Sequence, residues 1–140
     1  MIMATLLTSA LLLTPSALPT DGISGEVRSS TYTGKHYSHA WERWRTCVVA
    51  RESRDNPRAA NRSSSARGLY QFLDTAWRIS LTHMLMPEHR DERATVKALR
   101  TKPIHHWPRY WQDAAFWTVL RHGDGAHHWA YGSSCTSVKP

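Results

Sequence analysis

A chain of 140 residues has room for one domain with one core and not for two of ordinary size. Lys and Arg outnumber Asp and Glu by 18 to 11, a formal net charge of +7, so an anionic partner is favoured without a choice among nucleic acid, anionic lipid and an acidic cell wall. No Gly-rich phosphate loop, Gly-x-Ser-x-Gly nucleophile elbow, internal repeat or heptad array occurs, which removes several common enzyme classes.

Residues 1–19 are uncharged and largely apolar, with small residues near Ser16 and Ala17, and read as a signal peptide. No Lys or Arg precedes the apolar run, and Pro15 makes it too short for a membrane anchor, so no stable span is expected after processing. Residues 20–37 are polar and carry Gly22, Gly25 and Gly34, the composition of a flexible lead-in. The domain is then expected over residues 38–140.

The first core helix is expected over 38–53, with Ser38 as N-cap. Trp41, Trp44, Val48 and Glu52 share one helical face, while Glu42, Arg43, Arg45 and Arg51 fall mostly off it. Glu52 is therefore a carboxylate at the edge of the core. Partial burial beside apolar groups disfavours the charged form, as a general acid working near neutral pH requires. The same position equally suits an ion pair with Arg51 or Arg54.

Pro57 stops a simple continuation, and the polar residues up to Arg67 form a loop or a short hairpin. Gly68 is either a plain turn or a point of close backbone approach that brings residues 69–72 next to a ligand. Asp74 reads as the N-cap of a helix that carries Trp77, Leu81, Met84 and Leu85 on one face and stops near Pro87. That structural task weakens Asp74 as a second catalytic carboxylate. Residues 88–102 are densely charged and suit a short exposed helix, whereas residues 109–122 are apolar around much of the circumference and read as a buried central helix ended by Gly123 and Gly125. The fold class expected is mainly α.

Seven tryptophans supply core bulk and flat surfaces on which sugar rings stack. Cys47 and Cys135 are the only possible pair, and in an exported protein they form a disulfide; otherwise they are two unrelated buried thiols. The adjacent pairs His105-His106 and His127-His128 lack metal-ligand spacing, so no metal is expected, and no cofactor.

The ordered set Glu52-Ser53 with Asn56, then Gly68-Leu69-Tyr70-Gln71-Phe72, then Thr75-Ala76-Trp77, resembles the lysozyme-like, soluble lytic transglycosylase superfamily. It is most similar to the actinobacterial and phage branch related to resuscitation-promoting factors, and the likeness runs from about Trp41 to Cys135. Arg54 and Asp55 stand where that pattern has two glycines, and Ser65 where a glycine is common. The resemblance implies a small, mainly helical, lysozyme-like fold that cleaves peptidoglycan between N-acetylmuramic acid and N-acetylglucosamine. Glu52 would be the single catalytic acid and then base of a lytic transglycosylase, Ser53 would orient it, and Tyr70 and Gln71 would line the sugar subsites. A hydrolytic muramidase and a noncatalytic wall-binding module are the alternatives. The implied protein is a monomer outside the cell, in the cell wall, or a phage lysin or virion component. A nucleic-acid binder would explain the charge but not the acid at the helix end or the Gly-Leu-Tyr-Gln-Phe segment, so no nucleic acid is expected.

Overall fold

A computed structural model of the chain describes residues 26–122, 125–130 and 133–140. The expected signal peptide, residues 20–25 of the expected lead-in, and Gly123 lie outside the described residues. The architecture is mainly helical: α1 (His39–Ser53), α2 (Asp74–Leu85), α3 (Arg93–Leu99) and α4 (Arg109–Arg121), with three short 3-10 turns at Ile104–His106, Gly125–Trp129 and Ser133–Val138. Between α1 and α2 sit two short antiparallel strands, β1 (Ala66–Arg67) and β2 (Phe72–Leu73), paired Ala66 with Leu73 and Arg67 with Phe72. Ala60 adds a single bridge to Arg67, so the loop after α1 folds back on itself as a small hairpin. No helix among the described residues is long and apolar enough to cross a membrane.

The core is built around α4, every residue of which from Trp111 to Leu120 is buried. Its sequence Ala114-Ala115-Phe116-Trp117 sets two small side chains beside two large ones, and Trp44 of α1, Tyr70 and Trp129 close on Phe116. Tyr70 stacks on Phe116 with ring centroids 4.3 Å apart. On α2, Leu81 and Leu85 are fully buried, and on α3 the narrow apolar stripe reduces to Val96 and Leu99.

Two features differ from expectation. On α1 the buried face takes in Arg45, Val49 and Ser53 beside Trp44 and Val48, so Arg45 lies under the helix and not off its core side. The residues from Arg28 onward, read as lead-in, are stitched to the domain. Thr31 donates from both its backbone nitrogen and its hydroxyl to Asp113 Oδ2 at 2.8 Å, and Trp117 Nε1 donates to Ser30 Oγ at 3.0 Å. Tyr32 is fully buried and its hydroxyl donates to Glu88 at 2.6 Å. A polar segment looks like linker by composition, but its hydrogen-bonding groups are here satisfied by side chains of α1, α4 and the α2–α3 connection instead of by water.

Of the two expected caps, Ser38 stands where the sequence put it and Asp74 does not. Ser38 occupies the N-cap of α1 without a side-chain hydrogen bond. Asp74 is the first residue of α2, with Oδ1 accepting from the Ile104 backbone nitrogen at 2.7 Å and Oδ2 paired with Arg78 at 2.8 Å. It therefore fastens α2 to the Ile104–His106 turn, a structural task of a different kind.

Cys47 and Cys135 are joined, with Cα atoms 5.7 Å apart, and tie α1 to the C-terminal 3-10 turn across 88 residues. Closing a loop of that length removes unfolded-state entropy worth about 4 to 5 kcal/mol in the chain-entropy model. Reduction, or replacement of both cysteines by serine, is expected to lower the thermal midpoint by well over ten degrees; calorimetry with and without reductant reads this directly.

Candidate active site

Helix α1 ends in a left-handed turn. Arg54 sits at φ 53°, its backbone nitrogen donating to Ala50 O, and Asp55 follows at φ 60°. These are the two positions where the pattern in the resembled superfamily carries glycines. The backbone shape that glycine favours is thus adopted by residues with side chains, at a cost of roughly 1 kcal/mol or more each. At Asp55 the cost is offset by charge. Arg28 Nε donates to its Oδ2 at 2.9 Å, and Arg109 Nη2 lies 2.7 Å from Oδ1 but off the hydrogen-bonding direction, so this second partner acts as a close charge. Burial works against the Asp55 charge, yet the Arg28 hydrogen bond and the nearby Arg109 outweigh it and hold the carboxyl below its ordinary value.

Glu52 lies in the last turn of α1 with its side chain 25% exposed. Arg51 donates to its Oε1 from Nε at 3.0 Å and from Nη2 at 2.7 Å, while Oε2 has no hydrogen bond among the described residues. The same Arg51 Nη2 donates to the Trp129 carbonyl at 2.8 Å. This arginine therefore links the acid to the segment that walls the neighbouring cleft.

That cleft has a volume of about 340 Å³ and runs between residues 70–73, Trp77 and the His127-His128-Trp129 turn; Glu52 is not among its lining residues. Its shape depends on unusual backbone. Gly68 has φ +81°, and a side chain there would meet Gln112 Oε1 at 2.4 Å. That oxygen accepts from the Leu69 backbone nitrogen at 2.8 Å, while Gln112 Nε2 donates to the carbonyls of Trp107 and Pro57. The close approach read at Gly68 is thus to a buried glutamine of α4. Gln71 is also left-handed, φ 51°, and its Nε2 donates to Gly68 O at 2.9 Å, which leaves the half-buried amide on the cleft wall. Trp129 Nε1 donates to the Tyr70 carbonyl at 2.9 Å and closes the far side. Trp77 is half-buried and meets the His128 ring edge-on at 4.6 Å, presenting aromatic surface of the kind sugars stack on.

Of the residues expected at the site, Gln71 lines the cleft, and Glu52 is linked to it through Arg51 and the Trp129 carbonyl. Tyr70 contributes its backbone, because its side chain is buried: the hydroxyl donates to Asp113 Oδ1 and accepts from Arg45 Nη1 at 3.1 Å. Burial and the adjacent Asp113 carboxylate push the phenol well above its ordinary value, so it is a fixed neutral donor and not a titrating group. Ser53 is buried and its hydroxyl donates to Val49 O at 3.2 Å, within the helix and not toward Glu52. Leu73 and the anchoring Gln112 were not singled out from sequence, and His127 and His128 were weighed there as a metal-binding pair and not as a cleft wall. Among the described residues no group of three or more His, Cys, Asp or Glu has the arrangement to hold a metal ion.

Comparison with protein-family models, with curated proteins and with solved structures gives no match.

Two substitutions test the turn. Replacing Arg54, which is exposed, by Gly is expected to raise stability by about 0.5 to 1 kcal/mol, since relief of the left-handed conformation exceeds the added unfolded-state entropy. Asp55→Asn is expected to cost on the order of 1 to 2 kcal/mol at pH 7. Because the folded carboxyl is depressed, its stabilisation is present above the unfolded value and is lost as pH falls through the folded one. The gap between wild type and Asp55→Asn in urea denaturation should therefore be constant near neutrality and close below about pH 4.

Proposed function

We propose that the chain is a small lysozyme-like, transglycosylase-like domain that cleaves peptidoglycan glycan strands between N-acetylmuramic acid and N-acetylglucosamine. The observation that carries the reading is a half-buried glutamate in the last turn of α1, joined through Arg51 to the wall of an aromatic-lined cleft. A left-handed turn follows it where the resembled pattern has glycines.

In this reading the glycan strand lies along residues 70–73 with a sugar face on Trp77, and Glu52 reaches the glycosidic oxygen with Oε2, the oxygen that Arg51 does not engage. Glu52 gives its proton to the leaving oxygen as the glycosidic bond breaks. It then takes a proton from the muramoyl C6 hydroxyl, whose oxygen closes on C1 to leave a 1,6-anhydro end, so the acid is restored. One carboxyl group completes this cycle, whereas hydrolytic glycosidases generally use two. The nearest other carboxylates in sequence are engaged: Asp55 by Arg28 and Arg109, and Asp74 by Ile104 and Arg78. That occupancy favours a transglycosylase over a muramidase. The substrate places the protein outside the cytoplasm, as a secreted or wall enzyme or a phage lysin, and the disulfide is compatible with that setting.

One observation favours a second reading. The Arg51 pair on Glu52, and the absence of Glu52 from the cleft lining, suit a noncatalytic module that holds glycan through Trp77 and Gln71 alone.

Digestion of purified sacculi by wild type should release muropeptides whose muramoyl ends are lighter by one water than hydrolytic products. Glu52→Gln should lower the release rate by roughly a hundredfold or more at an unchanged melting temperature. Undiminished release by this variant would refute the acid role, and glycan binding by wild type with no change in muropeptide profile would establish the binding module instead.

A further inference from the structure

A second concavity, of about 180 Å³, shares no lining residue with the cleft and is lined by Pro57, Arg58, Trp107, Pro108, Arg109 and the pair His105-His106. Two arginines and two histidines face it, and no carboxylate is among its lining residues. We propose that this basic pocket binds a small oxyanion, a carboxylate or phosphate group carried by a larger ligand.

Three observations point the same way. Arg58 is exposed at the pocket, and its guanidinium has no ion pair or hydrogen bond among the described residues, unlike Arg28, Arg45, Arg51, Arg78 and Arg109. Arg109 is the fixed member of the site: Nη2 is held by Asp55 and the Arg28 carbonyl, Nε lies 3.7 Å from Asp113 Oδ2 as a charge pair, and Nη1 is buried with no hydrogen-bond partner among the described residues. His105 Nδ1 is likewise buried with no hydrogen-bond partner among the described residues. Buried donors left without an acceptor are costly, and an oxyanion supplies acceptors in number where an apolar or cationic ligand supplies none. Electrostatics agree. Burial lowers the His105 pKa first, and His106, Arg67 and Arg58 add to it against the single opposing charge of Asp74. The surroundings of this ring therefore carry an excess of positive charge that added negative charge relieves.

The division of labour follows from geometry. Arg109, locked to Asp55 at the start of α4, is a preorganised wall, and the exposed Arg58, next to Pro57 on the pocket rim, is the residue whose guanidinium is available to the anion. The site would hold an anionic group of a polymer at a distance from the sugar cleft, and it stands whether or not Glu52 is catalytic.

The test is a titration of the full chain with acetate and with inorganic phosphate at constant ionic strength balanced by chloride, following the His105 and His106 ring resonances by NMR. Saturable shifts at His105 are expected for at least one probe, with affinity reduced roughly fivefold in Arg58→Gln at an unchanged melting temperature. Acetate at saturation should also move the His105 titration midpoint upward, because the anion stabilises the imidazolium. Tighter binding of phosphate would mark a phosphate-bearing ligand, and tighter binding of acetate a carboxylate-bearing one. Shifts that grow linearly and match those from chloride, or equal affinity in Arg58→Gln, would overturn the proposal.

Discussion

The fold hangs on a buried polar junction between α1, α4, the Tyr70 segment and the N-terminal segment of residues 28–32. Arg45 and Asp113 are both fully buried, 3.8 Å apart, and bridged by the Tyr70 hydroxyl. Arg45 also donates to Glu42 and to the Arg28 carbonyl, and Asp113 accepts twice from Thr31. Burial opposes the Arg45 charge, but Tyr70 and Glu42 outweigh it and raise its pKa, so the guanidinium stays charged. A junction of this type adds little net stability over an apolar core of equal volume, yet it is severe against loss of one partner, about 3 to 5 kcal/mol, because the other charge is left buried and alone. Its effect is to fix geometry.

The cleft inherits that fixity. With the Tyr70 phenol clamped in the core, its backbone is held at the cleft wall, where the carbonyl meets Trp129 Nε1. Gln112, one residue before Asp113 on α4, grips the Leu69 nitrogen and requires glycine at position 68. Two successive polar residues of one helix thus position the strip of residues 68–72 on which Gln71 is displayed. The disulfide acts at the opposite end, holding the C-terminal turn against α1, the helix that carries Glu52 and Arg51.

Charge is distributed so that each acid near the site has a definite task. Asp55 and Asp74 are consumed in fastening the α1 turn and the start of α2, whereas Glu52 Oε2 has no hydrogen bond among the described residues. The basic excess collects differently: Arg51 on the cleft side, Arg58 and Arg109 around the second concavity. A wall polymer bearing both neutral sugars and anionic groups would be met by two chemically distinct surfaces of one small domain.

Much of the helical framework was legible in the sequence, since α1, α2 and α4 follow from 3.6-residue apolar spacing and from breaks at Pro57 and Pro87. So was the pairing of the two cysteines, which needed only that they be the sole candidates. The sequence by itself determined which helices form and which acid ends the first. Tertiary structure alone decided that Arg45 turns inward, that Tyr70 is a core phenol and not a cleft wall, that Ser53 bonds to its own helix, and that residues 28–37 belong to the domain. The reason is common to all four. Periodicity reports where apolar area must go, whereas a buried polar group is placed by partners such as Asp113 that lie tens of residues away and leave no local pattern.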